Sequence, residues 1–323
     1  MKTFTETVPA DDAAKIQKVV DLIIAKQRQG HKKGQFARRD VHIKGYLVEA
    51  LFQVLPDLPE HLRVGVFEKA CTYRASIRCS AGLLGPNAYD ILPNTRAAAL
   101  KLHGVPGKKL RLGDENSSDH DFLLVNGPVF QVASLDQYIM VQEQGIGAAL
   151  AKMPQVIWPL LKQVSQIVRN PFKVRYFSQA AYLFGDRACK YMLIPKVADS
   201  FWPLPDAFDP DYLRHAVEAE LQRGPMELMF CVQFQQDGES VEDPTQEWKG
   251  VPVPLARLVL PQAQPGSYLA ILKDSGEQLS FDPWRVLPEH EPLGWVGRAR
   301  RAAYKADFEW RTRTNDGNVH PLR

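Results

Sequence analysis

GRARRAAYKADFEWRTR, residues 297–313, decides how the rest of the chain is read. On a helix of 3.6 residues per turn, Arg300, Tyr304 and Arg311 fall within one narrow stripe, because spacings of four and eleven are close to whole turns. One phenol therefore lies between two guanidiniums on a single face. A guanidinium one turn away favours the phenolate and is expected to lower the phenol pKa from its usual value of about 10. A phenolate is a hard, anionic oxygen ligand of the kind that suits ferric iron. Taken alone, the stripe also fits a solvated basic helix carrying a half-buried aromatic ring.

Composition bounds the rest. At 323 residues, 45% hydrophobic and 24% charged, the chain can bury a substantial core. A formal charge of +3 is too small to imply a nucleic-acid partner, and none is expected. Four cysteines without a CxxC pair argue against a disulfide framework or a zinc knuckle. The N-terminus, MKTFTETVPADDAAK, places acids where a secretory signal needs a basic start and an apolar run. No stretch approaches about 20 uninterrupted apolar residues, so no membrane span is expected and the cytoplasm is the default location.

Periodicity predicts a leading helix over 11–29, from Ile16, Val19, Val20, Ile23 and Ile24 at helical spacing. Residues 62–130 shift to short Val-, Ile-, Tyr- and Phe-rich segments broken by Gly and Pro, which read as antiparallel strands. Helical spacing returns over 137–151 and 153–168. Strands follow in VRYFSQAAYLFGDRACKYMLIP and MELMFCVQFQQDG, around a helix over 211–223. Strands in two batches with helices between them predict an α+β fold. Gly145-Ile146-Gly147 lacks the third glycine and the preceding strand of a dinucleotide site.

Other segments give the 297–313 stripe its company. Arg39-Asp40-Val41-His42-Ile43-Lys44-Gly45 resembles the distal-histidine segment of haem catalases, of the type RxxHxKG. Arg78-Cys79-Ser80 resembles that family's Arg-Phe-Ser, and Asn126-Gly127-Pro128-Val129-Phe130 its Asn-containing strand end. Phe281-Asp282-Pro283 is similar to the Phe-Asp-Pro upstream of the proximal helix, and Arg300-x-x-x-Tyr304 to the proximal Arg-x-x-x-Tyr. The pieces are collinear and span residues 39–311.

The resemblance implies one domain over 1–323: an antiparallel β-barrel core (37–280) with surrounding helices, a helical arm (1–36), a proximal helix region (281–313) and a tail (314–323). It implies a haem b cofactor with iron held by Tyr304. His42 would be the acid–base group over the distal face, Ser80 would fix its ring, and Asn126 would point its amide at bound peroxide. Arg300 would hold Tyr304 as phenolate. Arg39, Arg78 and Arg311 would pair with the two propionates, while Val41 and Phe281 would lie against the cofactor.

Some positions depart from the family pattern. Cys79 replaces Phe, Lys305-Ala306-Asp307 follows the tyrosine where the family has Pro-Asp-Thr, and Val125-Asn126 replaces two adjacent asparagines. The chain is also short, and resembles the divergent catalase-related branch that includes peroxidases and allene oxide synthases. The expected activity is breakdown of hydrogen peroxide or an organic hydroperoxide, with an organic electron donor as the second partner; a homo-oligomer is left open. Val41 is apolar where the allene oxide synthases carry a Thr, which favours peroxide reduction. The alternatives are a fatty-acid hydroperoxide isomerase on the same fold, and a non-enzymatic protein that binds haem, or a polyanion through its basic C-terminal helix.

Overall fold

The computed structural model describes residues 4–82, 84–198, 206–262 and 279–315. Strand alternation builds its centre. In β1 (Lys44–Val54) the residues Tyr46, Val48, Ala50 and Phe52 enter one core, and in β2 (Thr72–Ala81) Ala75, Ile77 and Cys79 join them. Both strands turn their other residues away, so Leu47 joins a separate outer cluster with Leu279 and Phe281. The same alternation continues through β3 (Arg96–His103), β4 (His120–Val125), β5 (Tyr176–Phe177), β7 (Arg187–Pro195), β8 (Met226–Phe234) and β9 (Val253–Leu260). The strand β6 (Tyr182–Phe184) pairs only with β7 in this sheet.

Neighbouring strands are antiparallel in the order β5-β4-β3-β2-β1-β9-β8-β7, and β5 also pairs with β7. The sheet therefore closes into a barrel, which removes its exposed edges. Aromatic rings fill the lumen: Phe67 stacks on Phe184 and Phe230 at 5.9 Å, and Phe122 lies 4.8 Å from Phe230.

Helices cover one side of the barrel. Helix α1 (Asp12–Gly30) packs against α2 (Leu135–Lys152) and α5 (Gly294–Thr314) through Val19, Ile23, Leu135, Ile139, Trp295 and Ala299. Arg298 of α5 fastens this layer, reaching Asp12 at 3.0 Å and Glu242 at 2.9 Å. Helices α3 (Ile157–Val164) and α4 (Tyr212–Arg223) complete the described set.

The expected α+β class and antiparallel barrel are present. Two strands were not predicted. In β1 and β9 apolar residues such as Leu47, Leu51 and Val259 also occupy the outward face, which blurs the alternation in the sequence. Residues 62–71, expected as strand, form two 3-10 turns, Glu60–Leu62 and Gly65–Phe67, and a connection into β2. The helix expected over 153–168 shortens to α3 behind a 3-10 turn at Pro154–Val156, where proline removes a helical donor. Residues 316–323 of the predicted tail, and 202–205 of a proline-rich connection, lie outside the described residues.

Candidate functional site

The link between α1 and β1 carries Arg39 and His42. Its start is tied to the end of α5, because Asn315 accepts from Ala37 N at 2.7 Å and donates to Ala37 O at 2.9 Å. His42 has φ +59°, a left-handed backbone that few non-glycine residues adopt and that turns its ring back over β2. There Ser80 Oγ lies 3.3 Å from His42 Nδ1. Gly82 makes the space: a Cβ on it would lie 2.1 Å from Thr95 Oγ1 and 2.9 Å from His42 Cε1. Burial, then the positive charges of Arg78, Arg39 and Arg300, push the imidazole pKa down to about 3. The ring is neutral at physiological pH and can accept a proton.

The Lys-Gly pair after His42 has a structural cause. A Cβ on Gly45 would lie 2.8 Å from the guanidinium carbon of Arg78, which crosses the strand there and donates to His42 O at 2.9 Å. Lys44 donates to Ala88 O at 2.8 Å and pairs with Asp90 at 2.9 Å and Asp211 at 3.1 Å. It staples the 84–95 connection and the start of α4 to the barrel.

Tyr304 projects from the middle of α5. Burial raises its pKa, the carboxylates of Asp282 and Asp307 add to the rise, and Arg300 and Arg39 oppose it. The expected lowering by Arg300 is therefore outweighed: desolvation of the phenolate is the larger effect. Arg39 donates to Leu279 O at 2.7 Å, which joins the distal link to the segment carrying Phe281 and Asp282. Arg311 is buried, with Nε 2.9 Å from Asp307 Oδ2, and the other oxygen of Asp307 accepts from Gln27 of α1 at 2.5 Å.

The fold thus brings His42, Ser80, Arg39, Arg78, Arg300 and Tyr304 together. Arg39 and Arg300 each act on both His42 and Tyr304. Other expected residues are placed differently. Asn126 is buried, and its carboxamide accepts from Arg96 N at 2.9 Å and donates to Gln163 O at 3.1 Å and Gln166 Oε1 at 3.4 Å. Both amide hydrogens are committed to α3 and the turn after it. Phe281 packs against Leu47 and Leu279 on the outer barrel face, with Lys101 Nζ 5.2 Å from its ring centre. Val41 is 44% exposed. Cys79 points into the barrel lumen, opposite in the alternation to Arg78 and Ser80, so its substitution for Phe alters the lumen and not the histidine's surroundings.

Gly45, Gly82, Lys44, Asp282 and Asp307 were not foreseen as builders of the site. Only the HxKG and Phe-Asp-Pro matches hinted at three of them.

Solved structures share this architecture. A fungal catalase matches with a TM-score of 0.65 at 15% identity over 89% of this chain, and a bacterial catalase with 0.65 at 16% over 98%. Catalase A from Saccharomyces cerevisiae matches with 0.64 at 14% over 96%. The fold is that of the catalases. The chain spans 62%, 64% and 67% of those three chains. A protein named catalase-related peroxidase, from Mycolicibacterium paratuberculosis, is 25% identical over 304 residues, covering 88% of this chain and 92% of that relative. No protein-family model matches the chain.

The residues of this site suit an anionic iron cofactor. Arg300 Nη1 is buried without a hydrogen-bond partner among the described residues, beside a phenol that is a hard oxygen donor. Among the described residues no group of three or more His, Cys, Asp or Glu side chains could hold a metal. Among the described residues no helix is long and apolar enough to cross a membrane.

Proposed function

We propose that this chain binds haem b and reduces hydrogen peroxide or an organic hydroperoxide, the two electrons being returned by a second hydrogen peroxide, which leaves as dioxygen, or by an organic donor. The observation that carries the reading is the convergence of a neutral, oriented imidazole and a half-buried phenol, 262 positions apart in the numbering, under the field of the same two arginines. Haem, when bound, supplies the two-electron redox chemistry of peroxide cleavage.

Tyr304 Oη would hold the iron, and the Arg300 guanidinium would offset part of the cost of its phenolate. Arg39, Arg78 and Arg311 would pair with the cofactor's propionates, and Asp307 holds Arg311 in place. Ser80 holds Nδ1 of His42, which directs the imidazole's other nitrogen, Nε2, to the substrate. There Nε2 takes the proton from the near oxygen of the hydroperoxide and returns it to the departing oxygen, so that the leaving group is water or an alcohol. An imidazole with a pKa of about 3 accepts the proton weakly and gives it up readily, which suits the second half of that transfer. We assign Asn126 to holding the junction of β4 and α3, since reaching substrate would require it to exchange its bond to Gln163. Val41 brings no hydroxyl to compete for His42.

The test is the absorption spectrum of protein supplied with haem, before and after peroxide. A tyrosinate-type ferric spectrum that changes and then recovers is expected, and Tyr304→Phe should lose it. Protein that takes up no haem overturns the reading.

A further inference from the structure

Helix α3 is inside out. At 100° per residue, Trp158, Leu161, Lys162 and Ser165 share one face, and that face looks outward: Trp158 is 78% exposed and Leu161 47%. The buried side chain is the polar Gln163, 3% exposed, which bonds Asn126 and Gln131. The apolar surface continues past the helix in Ile167, 55% exposed.

The charges of the stretch that carries this face have one sign. From Gln144 to Gly185 the chain contains no Asp or Glu, while Lys152, Lys162, Arg169, Lys173 and Arg175 all fall within it. Lys152 and Lys162 are exposed. Lys173 is turned aside to Glu220 at 3.0 Å, and the last acid before the stretch, Glu143, is paired with Lys18 at 2.7 Å.

We propose that this face rests on an anionic lipid surface. An indole with flanking lysines is the composition of an interfacial contact, in which the ring sits at headgroup depth and the ammonium groups reach lipid phosphates. Contact with a second copy is disfavoured by the same charges. In a two-fold contact the patch meets itself, so Lys162 would approach its own image with no acid in this stretch to meet it. The contact is peripheral, and it stands apart from the haem reading: Gln163 separates the outward face from Asn126 by the width of the helix.

The test is co-sedimentation of the full chain with vesicles of phosphatidylcholine alone and of phosphatidylcholine mixed with phosphatidylglycerol. Binding to the anionic vesicles is expected, with release at high salt and at least roughly tenfold weaker partition for Trp158→Ser and for Lys162→Glu. Both substitutions lie on the exposed face, and an unchanged circular dichroism spectrum confirms that the fold is kept. No binding by the wild-type chain, equal binding to neutral vesicles, or binding that Trp158→Ser leaves unchanged overturns the proposal. So does a concentration-dependent dimer in analytical ultracentrifugation that Trp158→Ser abolishes, which assigns the face to a second copy.

Discussion

The guanidinium of Arg78 donates to the carbonyl oxygen of His42 at 2.9 Å across the space that a side chain on Gly45 would occupy. The histidine's backbone is held from below by an arginine that only a glycine lets through. Gly45→Ala should therefore displace Arg78, cost about 1–3 kcal/mol, and weaken haem retention. Thermal unfolding and haem titration check it; a variant with wild-type stability and haem affinity would show that the crossing is not tight.

His42→Ala should keep haem and lose peroxide turnover by about 10²–10⁴-fold, the usual contribution of a positioned acid–base group. Steady-state kinetics on haem-loaded protein decide it. Unchanged turnover removes His42 from the mechanism.

A buried ionic network pins the segment before α5 to the barrel. Asp121 is fully buried, accepts from Lys101 at 2.7 Å and Arg285 at 2.5 Å, and takes a hydrogen bond from Asp282 N at 2.9 Å. Lys101 keeps Asp119 at 3.4 Å and Arg285 keeps Asp114 at 2.8 Å, so Asp121→Asn weakens two charge-assisted bonds without stranding a cation and should cost about 1.5–3 kcal/mol in urea unfolding. A loss below about 1 kcal/mol would mean that water reaches the network.

His290 is fully buried between Tyr191 OH at 2.8 Å and Val66 N at 3.2 Å, and burial pushes its pKa down to about 3. The unfolded chain, with a histidine pKa near 6.5, binds a proton that the folded chain refuses. Stability is therefore full above pH about 6.5 and falls as the pH drops toward 3, by about 2 kcal/mol per such histidine between pH 6.5 and 5. Urea unfolding at those two pH values measures the slope, and His290→Gln should make it shallower.

The cysteines should differ sharply in reactivity. Burial pushes the Cys79 thiol up to about 12 and Cys231 to about 11, and raises Cys189 as well, whereas Cys71 is only half-buried. Under native conditions a maleimide should label Cys71 first and leave Cys79 and Cys189 silent until urea is added. Mass spectrometry of labelled peptides reads this directly.

The sequence by itself determined the helical stripe of Arg300 and Tyr304, the order of the matched segments, and the strands β2, β3 and β4. Each is local: a spacing of four on a helix, or alternation along a strand, survives in one dimension. Strands β1 and β9 were not legible, because apolar residues such as Leu47, Leu51 and Val259 on the outward face blur the period.

Tertiary structure alone decided the rest of the site. Cys79 and Ser80 are neighbours in sequence, yet alternation sends one into the lumen and the other to His42. Tyr304 was expected to be acidified by Arg300, but its ionisation is governed by burial, which depends on everything packed around α5. Asn126 looks available in the sequence and is committed to Gln163 in the fold. Side-chain direction follows from spacing, whereas desolvation and hydrogen-bond partners depend on chain that arrives from elsewhere, and only the folded molecule contains that information.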